Sequence, residues 1–334
     1  MVVRRGGIRP ITVNRYEAAA DRMLQQTATE HGDRLLLKVG LADAIDIDGM
    51  DGLSSRAKSY ALQAHLDFLM VDTTTGCGRF AVELDGRQHA SDPKTCERDR
   101  LKNDLCARAD LPLLRITSDF ARQVGRWSVL SYLTKAFYLS EAFHKAQDRG
   151  DVPFDEAFDI ANFVTFDDEG HLALDTLDGK ARLGLFQHGL AARIPATHPD
   201  LFCTELPEKG GLQAHAWMAI APDRYLISKV VVRDFRFSGI ASFELVEQLA
   251  RVEIAELVDR WLAGEEHAMA QNGTGLNKAV AEVQAAIDTA GRTVSIGYGS
   301  ALSGGGTAVS LRFPAGTLRL PHRGGFVNRG TYED

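Results

Sequence analysis

The stretch of sequence that most constrains the fold runs from His65 to Lys102. It contains two short segments in which apolar and polar residues alternate, HLDFLMV and RFAVELD, joined by a turn rich in Thr and Gly. A charged segment, ERDRLKN, follows them. Because successive side chains of a β-strand point to opposite faces, this pattern predicts two half-buried strands followed by a helix.

The two predicted strands gather acidic side chains on one face. Asp67 in the first strand, and Glu83 and Asp85 in the second, alternate with apolar residues that form the core face. If the turn is symmetric about Thr75, Asp67 lies opposite Glu83, with Cβ atoms about 4.5–5.5 Å apart. Carboxylates this close repel each other unless a cation neutralises them or one keeps its proton. We therefore expect the acidic face to bind Mg²⁺ or Mn²⁺, since these ions prefer oxygen ligands.

The helix predicted after Gly86 brings basic side chains towards the same face. Arg98 and Lys102 are four residues apart, so they lie one turn apart on one side of the helix. A lysine beside a metal-bound water can orient that water for attack on a phosphodiester and stabilise the charge that develops. This chemistry is a reason for Lys102 or Arg98 to lie beside the carboxylates.

The surrounding sequence sets this stretch in an order of helix, strand, strand, strand, helix, strand. A helix is predicted from about Asn14 to His31, a strand over residues 34–45, a loop over residues 46–60, and a buried strand in PLLRIT, residues 112–117. Glu17 falls in the first helical turn, where an acidic side chain favours the helix dipole without any further role, and we leave it outside the site.

The order of elements and the motifs resemble the PD-(D/E)XK, or restriction-endonuclease-like, nuclease superfamily. More narrowly, HLDFLMVD, AVELDGRQH and RDRLKNDLCARADLPLLRI resemble a bacterial domain of unknown function within it, and E-x-D-G-x-x-H is similar to relatives of the very-short-patch repair endonucleases. The resemblance covers about residues 15–120. It implies an α/β fold with a restriction-endonuclease-like α-β-β-β-α-β core and a mixed sheet.

The resemblance also implies roles for individual residues. Asp67 and Glu83 would ligate the metal together with the main-chain carbonyl of Leu84. The superfamily usually has a lysine two residues after the glutamate, but Asp85 stands there, and Lys102 on the next helix is the matching candidate. The predicted catalytic residues are Asp67, Glu83, Asp85 and Lys102, and the residues predicted to meet phosphates are Arg87, His89, Arg98 and Arg100.

The second half of the chain carries no comparable motif. We place a domain boundary near residue 150, after a long amphipathic helix, with residues 1–14 as a flexible arm and 15–150 as the nuclease-like domain. Residues 151–334 read as an α+β domain, with strand-like runs that include ARLGLF, residues 181–186, and a helix over 242–262. Substrate selection, self-association as a homodimer and binding of a protein partner are the roles open to this domain.

The net charge of −7 argues against a generally basic nucleic-acid-binding surface, but the charge is uneven along the chain. Residues 1–150 contain 22 Lys and Arg against 20 Asp and Glu, which leaves 16 against 25 for residues 151–334, so the first half is the better nucleic-acid candidate. The N-terminal residues lack the apolar core of a signal peptide, and no run is long enough to cross a bilayer. We expect a cytoplasmic protein that does not bind membranes.

These observations predict a Mg²⁺- or Mn²⁺-dependent nuclease, most simply a DNA endonuclease. Two alternatives stay open: an inactive nuclease fold that serves as a nucleic-acid-binding or scaffold module, and a nuclease directed at RNA. Asp67 and Glu83 would hold the metal in the enzyme. In an inactive module the same carboxylates would be ordinary polar residues on a sheet.

Overall fold

The computed structural model shows a mixed α/β protein whose chain forms two compact units. The first unit comprises residues 1–183 with 232–248, and the second comprises 184–231 with 249–334. The residues described by the structure are 15–85, 93–117, 120, 123–124, 127–160, 164–166, 172–174, 177, 179–190, 194, 196, 198–206, 211–233, 235–265, 270–290 and 293–297.

A four-stranded mixed sheet forms the centre of the first unit. Its strands, in spatial order, are β1 (Arg34–Gly40), β2 (His65–Val71), β3 (Gly78–Leu84) and β4 (Leu113–Ile116). β1 pairs with β2, and β2 with β3, in antiparallel orientation, whereas β3 and β4 are parallel. A parallel pair needs a crossover connection, and helix α4 (Pro93–Arg108) lies in the chain between β3 and β4.

Helices cover both faces of this sheet. The long helices are α1 (Arg15–His31) and α5 (Val129–Asp148). Two short helices, α2 (Leu41–Ala44) and α3 (Ser55–Gln63), stand in the chain between β1 and β2. Phe80 of β3 contacts Phe137 of α5 on one face, with ring centroids 4.7 Å apart. On the other face Leu69 and Ala81 are in one apolar cluster with Leu105 of α4.

The expectation that these strands have a core on one face only is therefore wrong. The face that carries Glu83 also carries Ala81, and Ala81 is fully buried in the cluster that contains residues of α4. The crossover between parallel strands brings a helix over the sheet, so this face is covered. Glu83 and Asp85 are each 6% exposed.

Two local predictions in the first unit also need correction. The strand predicted over residues 34–45 ends at Gly40, and Leu41–Ala44 form a short helix. The predicted loop over residues 46–60 contains the start of α3, whose N-cap Ser54 accepts a hydrogen bond from the Ala57 amide. A serine side chain before a run rich in Ala is a helix-start signal.

Shorter elements follow β4 along the chain. β5 (Gln123–Val124) pairs with β6 (Trp127–Ser128), and β7 (Val164–Phe166) pairs with β8 (Leu172–Leu174), each as an antiparallel two-stranded sheet. The helix α6 (Gly179–Leu190) comes next, and the division between the units falls within it, after residue 183. It includes the segment ARLGLF, which was predicted as a strand.

The second unit contains a second four-stranded sheet. Its spatial order is β11 (Arg224–Arg233), β10 (Gly211–Ala221), β9 (Asp200–Glu205) and β12 (Thr293–Gly297). Helix α7 spans Ser242–Leu262, as predicted, and its residues from 249 onwards belong to this unit; α8 spans Gly273–Ala290. Phe202 and Trp217 stack with centroids 4.9 Å apart and pack with Val283 of α8.

The structure does not test the predicted arm or the predicted domain boundary. The predicted arm, residues 1–14, lies outside the described residues, and the boundary at residue 150 stays a prediction because spatial division does not test independent folding. Within the part of the chain that the structure describes, no helix has the length and apolar character needed to cross a membrane.

Candidate functional site

Asp67 and Glu83 lie side by side at the ends of β2 and β3. The strands pair with Phe68 opposite Val82, which is the register predicted from the turn. The Asp67 amide donates to Glu83 Oε1 at 3.1 Å, and the Leu84 amide donates to Asp67 Oδ2 at 2.9 Å. Each carboxylate is therefore oriented by a main-chain group of the opposite strand.

Lys102 reaches this pair from α4. Its Nζ lies 2.6 Å from Glu83 Oε2 and 2.8 Å from the His65 carbonyl oxygen, and the residue is 8% exposed. Arg98, one turn earlier on the same helix, is exposed, as is Arg100. The structure thus brings together Asp67, Glu83 and Lys102, while Arg98 and Arg100 stay on the helix surface.

Burial and charge shape the acidity of this site. Burial, together with the nearby charge of Asp67, raises the pKa of Glu83, although Lys102 opposes this shift. Burial and the charge of Glu83 also raise the pKa of Cys106 and Tyr60, each to about 12, so both groups are neutral at pH 7. A further cation beside Glu83 would favour its ionised form.

Lys38 is a site residue that the sequence reasoning missed. Its Nζ lies 2.5 Å from Asp67 Oδ1 and 3.7 Å from Glu17 Oε1, which places Glu17 at the border of the site. Burial lowers the pKa of Lys38, but the hydrogen bond and charge of Asp67 outweigh it and the pKa is raised. The backbone of Lys38 has φ +53°, a left-handed conformation that is unfavourable for a lysine within a strand.

The signal for Lys38 was present in the pairing of β1 with β2. Leu37 opposes Phe68 and Val39 opposes Leu66, so Lys38 falls at the position of Asp67. That register does not follow from a short turn, because α2, α3 and their connections separate the two strands. Lys38 could be found only once the pairing of distant strands was known.

Asp85 belongs to a second charged cluster beside the first. The guanidinium of Arg115 contacts Asp85 through Nε at 3.0 Å and Nη2 at 2.8 Å, and its Nη2 also lies 2.6 Å from Asp99. Arg115 Nη1 donates to Asn103 at 3.1 Å. In the parallel pairing of β3 and β4, Arg115 lies opposite Glu83. A single arginine within the apolar strand LLRI was the sequence signal for this cluster.

The oxygen atoms of this site suit a hard divalent cation, but few of them are free to bind it. Asp67 and Glu83 offer carboxylate oxygens, and the resemblance adds the carbonyl of Leu84. All four carboxylate oxygens already accept a hydrogen bond, two of them from Lys38 and Lys102. Among the described residues no group of three or more His, Cys, Asp or Glu side chains could hold a metal. The arrangement suits an ion held by two carboxylates, with water and a substrate phosphate completing its shell.

Two residues predicted to contact phosphates lie outside the described part of the chain. Arg87 and His89 lie in residues 86–92, between β3 and α4, which are outside the described residues. Their predicted roles stay predictions. Asp67 and Lys38 have side chains that are 19% and 32% exposed, so a ligand would reach the buried pair of Glu83 and Lys102 from their side.

Comparison with known proteins gives one match. Residues 9–127 match the family model DUF2726, which is described as a protein of unknown function. No curated protein and no solved structure matches the chain. The matched region contains the carboxylates and lysines of the site, and it ends before α5.

Proposed function

We propose that the protein is a metal-dependent nuclease that hydrolyses phosphodiester bonds, with DNA as its first candidate substrate. The observation that carries the proposal is the contact of Lys102 Nζ with Glu83 Oε2 at 2.6 Å. The nuclease motif lacks its usual lysine, and the contact supplies one from the next helix. A buried lysine beside paired carboxylates is a combination that can hold a divalent cation, orient a water and stabilise the charge that develops in phosphodiester hydrolysis.

The arrangement of elements supports the same proposal. Apart from the two short helices α2 and α3, which are inserted between β1 and β2, the order α1, β1, β2, β3, α4, β4 is the one expected of a restriction-endonuclease-like core, with antiparallel pairs followed by a parallel pair. We propose that fold for the first unit on the strength of this order and the motif resemblance. A fold alone does not give a function, so the proposal depends on the site.

The residues of the site divide the chemistry among them. Asp67 and Glu83 would hold Mg²⁺ or Mn²⁺, which when bound would neutralise charge on the phosphate and make a bound water more acidic. Lys102 would orient the attacking water through its ammonium group, and Lys38 would hold Asp67 in place. Arg98 and Arg100, exposed on α4, would contact phosphates along the backbone, with Arg87 and His89 as further candidates.

The test is a cleavage assay with a matched pair of variants. The full chain would be incubated with plasmid and with single-stranded DNA, in Mg²⁺, Mn²⁺ or EDTA, alongside Glu83→Gln and Glu97→Gln. Glu97 is a partly exposed α4 residue that pairs with Arg56 at 2.7 Å, so its variant makes the same chemical change away from the site. We expect Glu83→Gln to lose cleavage by on the order of a thousandfold and Glu97→Gln to keep it.

A change in folding must be separated from a change in chemistry. Glu83→Gln keeps the size of the side chain and an oxygen for the Asp67 amide, and circular dichroism would verify that the variant is folded. Absence of metal-dependent cleavage in the wild type, or equal cleavage by Glu83→Gln, would overturn the proposal.

An inactive nuclease fold that binds nucleic acid is the second candidate. One observation favours it: Lys38 and Lys102 already neutralise the two carboxylates, so the site is stable without a metal. Such a protein would bind labelled DNA or RNA in EDTA but would cleave neither in Mg²⁺. Labelled RNA and DNA offered in competition would separate the RNA-directed nuclease from the DNA-directed one.

A further inference from the structure

A late segment of the chain, residues 235–240, is built into the first unit. Arg236 forms a β-bridge with Leu113 of β4, the edge strand of the sheet. The ring of Phe237 contacts those of Phe80 and Phe137, with centroids 5.3 Å and 5.1 Å away. This segment therefore has a fixed position beside β4.

Gly239 allows the segment to approach α5 closely. Its φ is +91°, and a Cβ atom at this position would lie 2.1 Å from the main-chain oxygen of Ala136. No other residue type fits both the conformation and the space. The close approach keeps the preceding residues, including Arg233, near the charged clusters.

Arg233 extends the second cluster towards solvent. Its Nη1 lies 3.0 Å from Asp85 Oδ2 and 3.0 Å from Asp99 Oδ2. The side chain is 24% exposed, whereas Asp85 is 5% and Arg115 is 3% exposed. Arg233 is thus the most exposed member of this cluster, ahead of Asp99 at 16%, and it lies beyond the family-matched region 9–127.

The two arginines of this cluster differ in their unused donors. Arg115 donates to Asp85, Asp99 and Asn103 through Nε, Nη1 and Nη2. Arg233 donates through Nη1, and among the described residues its Nε and Nη2 have no partner. A guanidinium fixed at one nitrogen and open at two others is prearranged for bidentate contact with an anion.

We infer that Arg233 binds a backbone phosphate of the nucleic acid that occupies the Asp67 and Glu83 site. Asp85, its partner, is two residues from Glu83, so a phosphate on Arg233 would neighbour the one at the candidate catalytic residues. The inference rests on the proposed function for the nature of the ligand. It adds a substrate contact from a part of the chain that the sequence motif does not include.

A binding assay in EDTA tests the contact without requiring catalysis. Anisotropy of a labelled duplex oligonucleotide would be measured with the full chain at several KCl concentrations for wild type, Arg233→Met and Arg149→Met. Arg149 is an exposed arginine of the same unit that pairs with Asp151 at 2.8 Å. Arg233→Met should bind about threefold to tenfold more weakly. Its slope of log affinity against log salt should fall by about 0.9, the value for one lost phosphate contact.

A second variant has the opposite expected sign, so a folding defect cannot imitate it. Asp99→Asn removes one of the two acids that hold Arg233, and Asp151→Asn makes the same charge change away from the site. Asp99→Asn should bind the oligonucleotide about threefold more tightly than Asp151→Asn, because Arg233 is less neutralised. If Arg233→Met fails to fold, this comparison alone decides.

The outcomes separate the inference from the proposed function. An unchanged salt slope in Arg233→Met, or equal binding by Asp99→Asn and Asp151→Asn, overturns the role of Arg233 even if the protein cleaves DNA. Binding by the wild type without cleavage, with the predicted effects of the variants, overturns the nuclease and keeps Arg233 as a phosphate contact. Failure to bind either DNA or RNA overturns both.

Discussion

The two units bury different kinds of polar side chain. Among the described residues that are buried, the first unit includes the charged residues Glu83, Asp85, Lys102 and Arg115. The second unit buries neutral groups, such as Gln213, whose amide donates to the Thr204 hydroxyl at 3.1 Å. Its buried histidine, His215, is 1% exposed and has a pKa lowered to about 4, so it is neutral at pH 7.

The first unit therefore contains buried charged residues that stability alone does not explain. Taking charged groups out of water costs several kcal/mol for each ion, and pairing them often does no more than offset that cost. An apolar or neutral core, such as that of the second unit, avoids the cost. Buried charges that are paired and oriented are therefore evidence for a site in the first unit, consistent with the proposal above.

The largest effect on stability is expected from breaking the Arg115 cluster. Arg115→Met leaves Asp85 without its bidentate partner and should lower the free energy of unfolding by about 3 kcal/mol. Arg149→Met, at the surface, should change it by less than about 0.5 kcal/mol. Urea unfolding of the two variants would measure the difference.

A double variant sharpens the same comparison. Asp85→Asn combined with Arg115→Met removes both partners and leaves Asp99 paired with Arg233, whose Nη1 lies 3.0 Å away. If the buried charges are not needed for the fold, the double variant recovers most of the lost stability. A double variant less stable than Arg115→Met would show that the charges are part of the stabilising core.

A smaller and pH-dependent effect is expected at His215 in the second unit. Burial, assisted by the charge of Lys229, lowers the pKa of His215 from 6.5 to about 4. The unfolded chain therefore binds the proton more readily, and the stability that comes from the neutral ring is present above pH 6.5. It is lost as the pH falls from about 6.5 to about 4, by at most about 3 kcal/mol.

Unfolding of His215→Gln at several pH values would measure this contribution. The variant should lose less stability than the wild type between pH 6.5 and pH 4. An unchanged pH dependence in His215→Gln would mean that the second unit accommodates a charged histidine, and the contrast between the units would fail.

The smallest effect is expected at Lys38. Lys38→Met removes a cation 2.5 Å from Asp67 Oδ1, so the site becomes more negative. The Mg²⁺ concentration for half-maximal cleavage should fall about threefold to tenfold. Metal titration of the cleavage rate would measure it, with Lys58→Met, an exposed lysine beside Asp48, as the control. A slower reaction with the same Mg²⁺ requirement would instead assign Lys38 to the substrate.

The local pattern was enough to predict the centre of the site. Alternation of apolar and polar residues fixed the two strands, and the short turn around Thr75 fixed their register, so Asp67 and Glu83 could be paired before the structure was known. The position of Lys102 could not be predicted from local pattern alone, because helical spacing shows which residues share a face of a helix but not what that face contacts. Its contact with Glu83 depends on the crossover between β3 and β4.

The sequence by itself determined the strands, the main helices and the pairing of two acids, because these depend on residues close together in the chain. The tertiary structure decided that the acidic face is buried, that Lys38 lies against Asp67, and that Arg233 joins Asp85. These contacts join residues separated by up to 148 positions. No local periodicity encodes them, since they depend on how whole elements pack together.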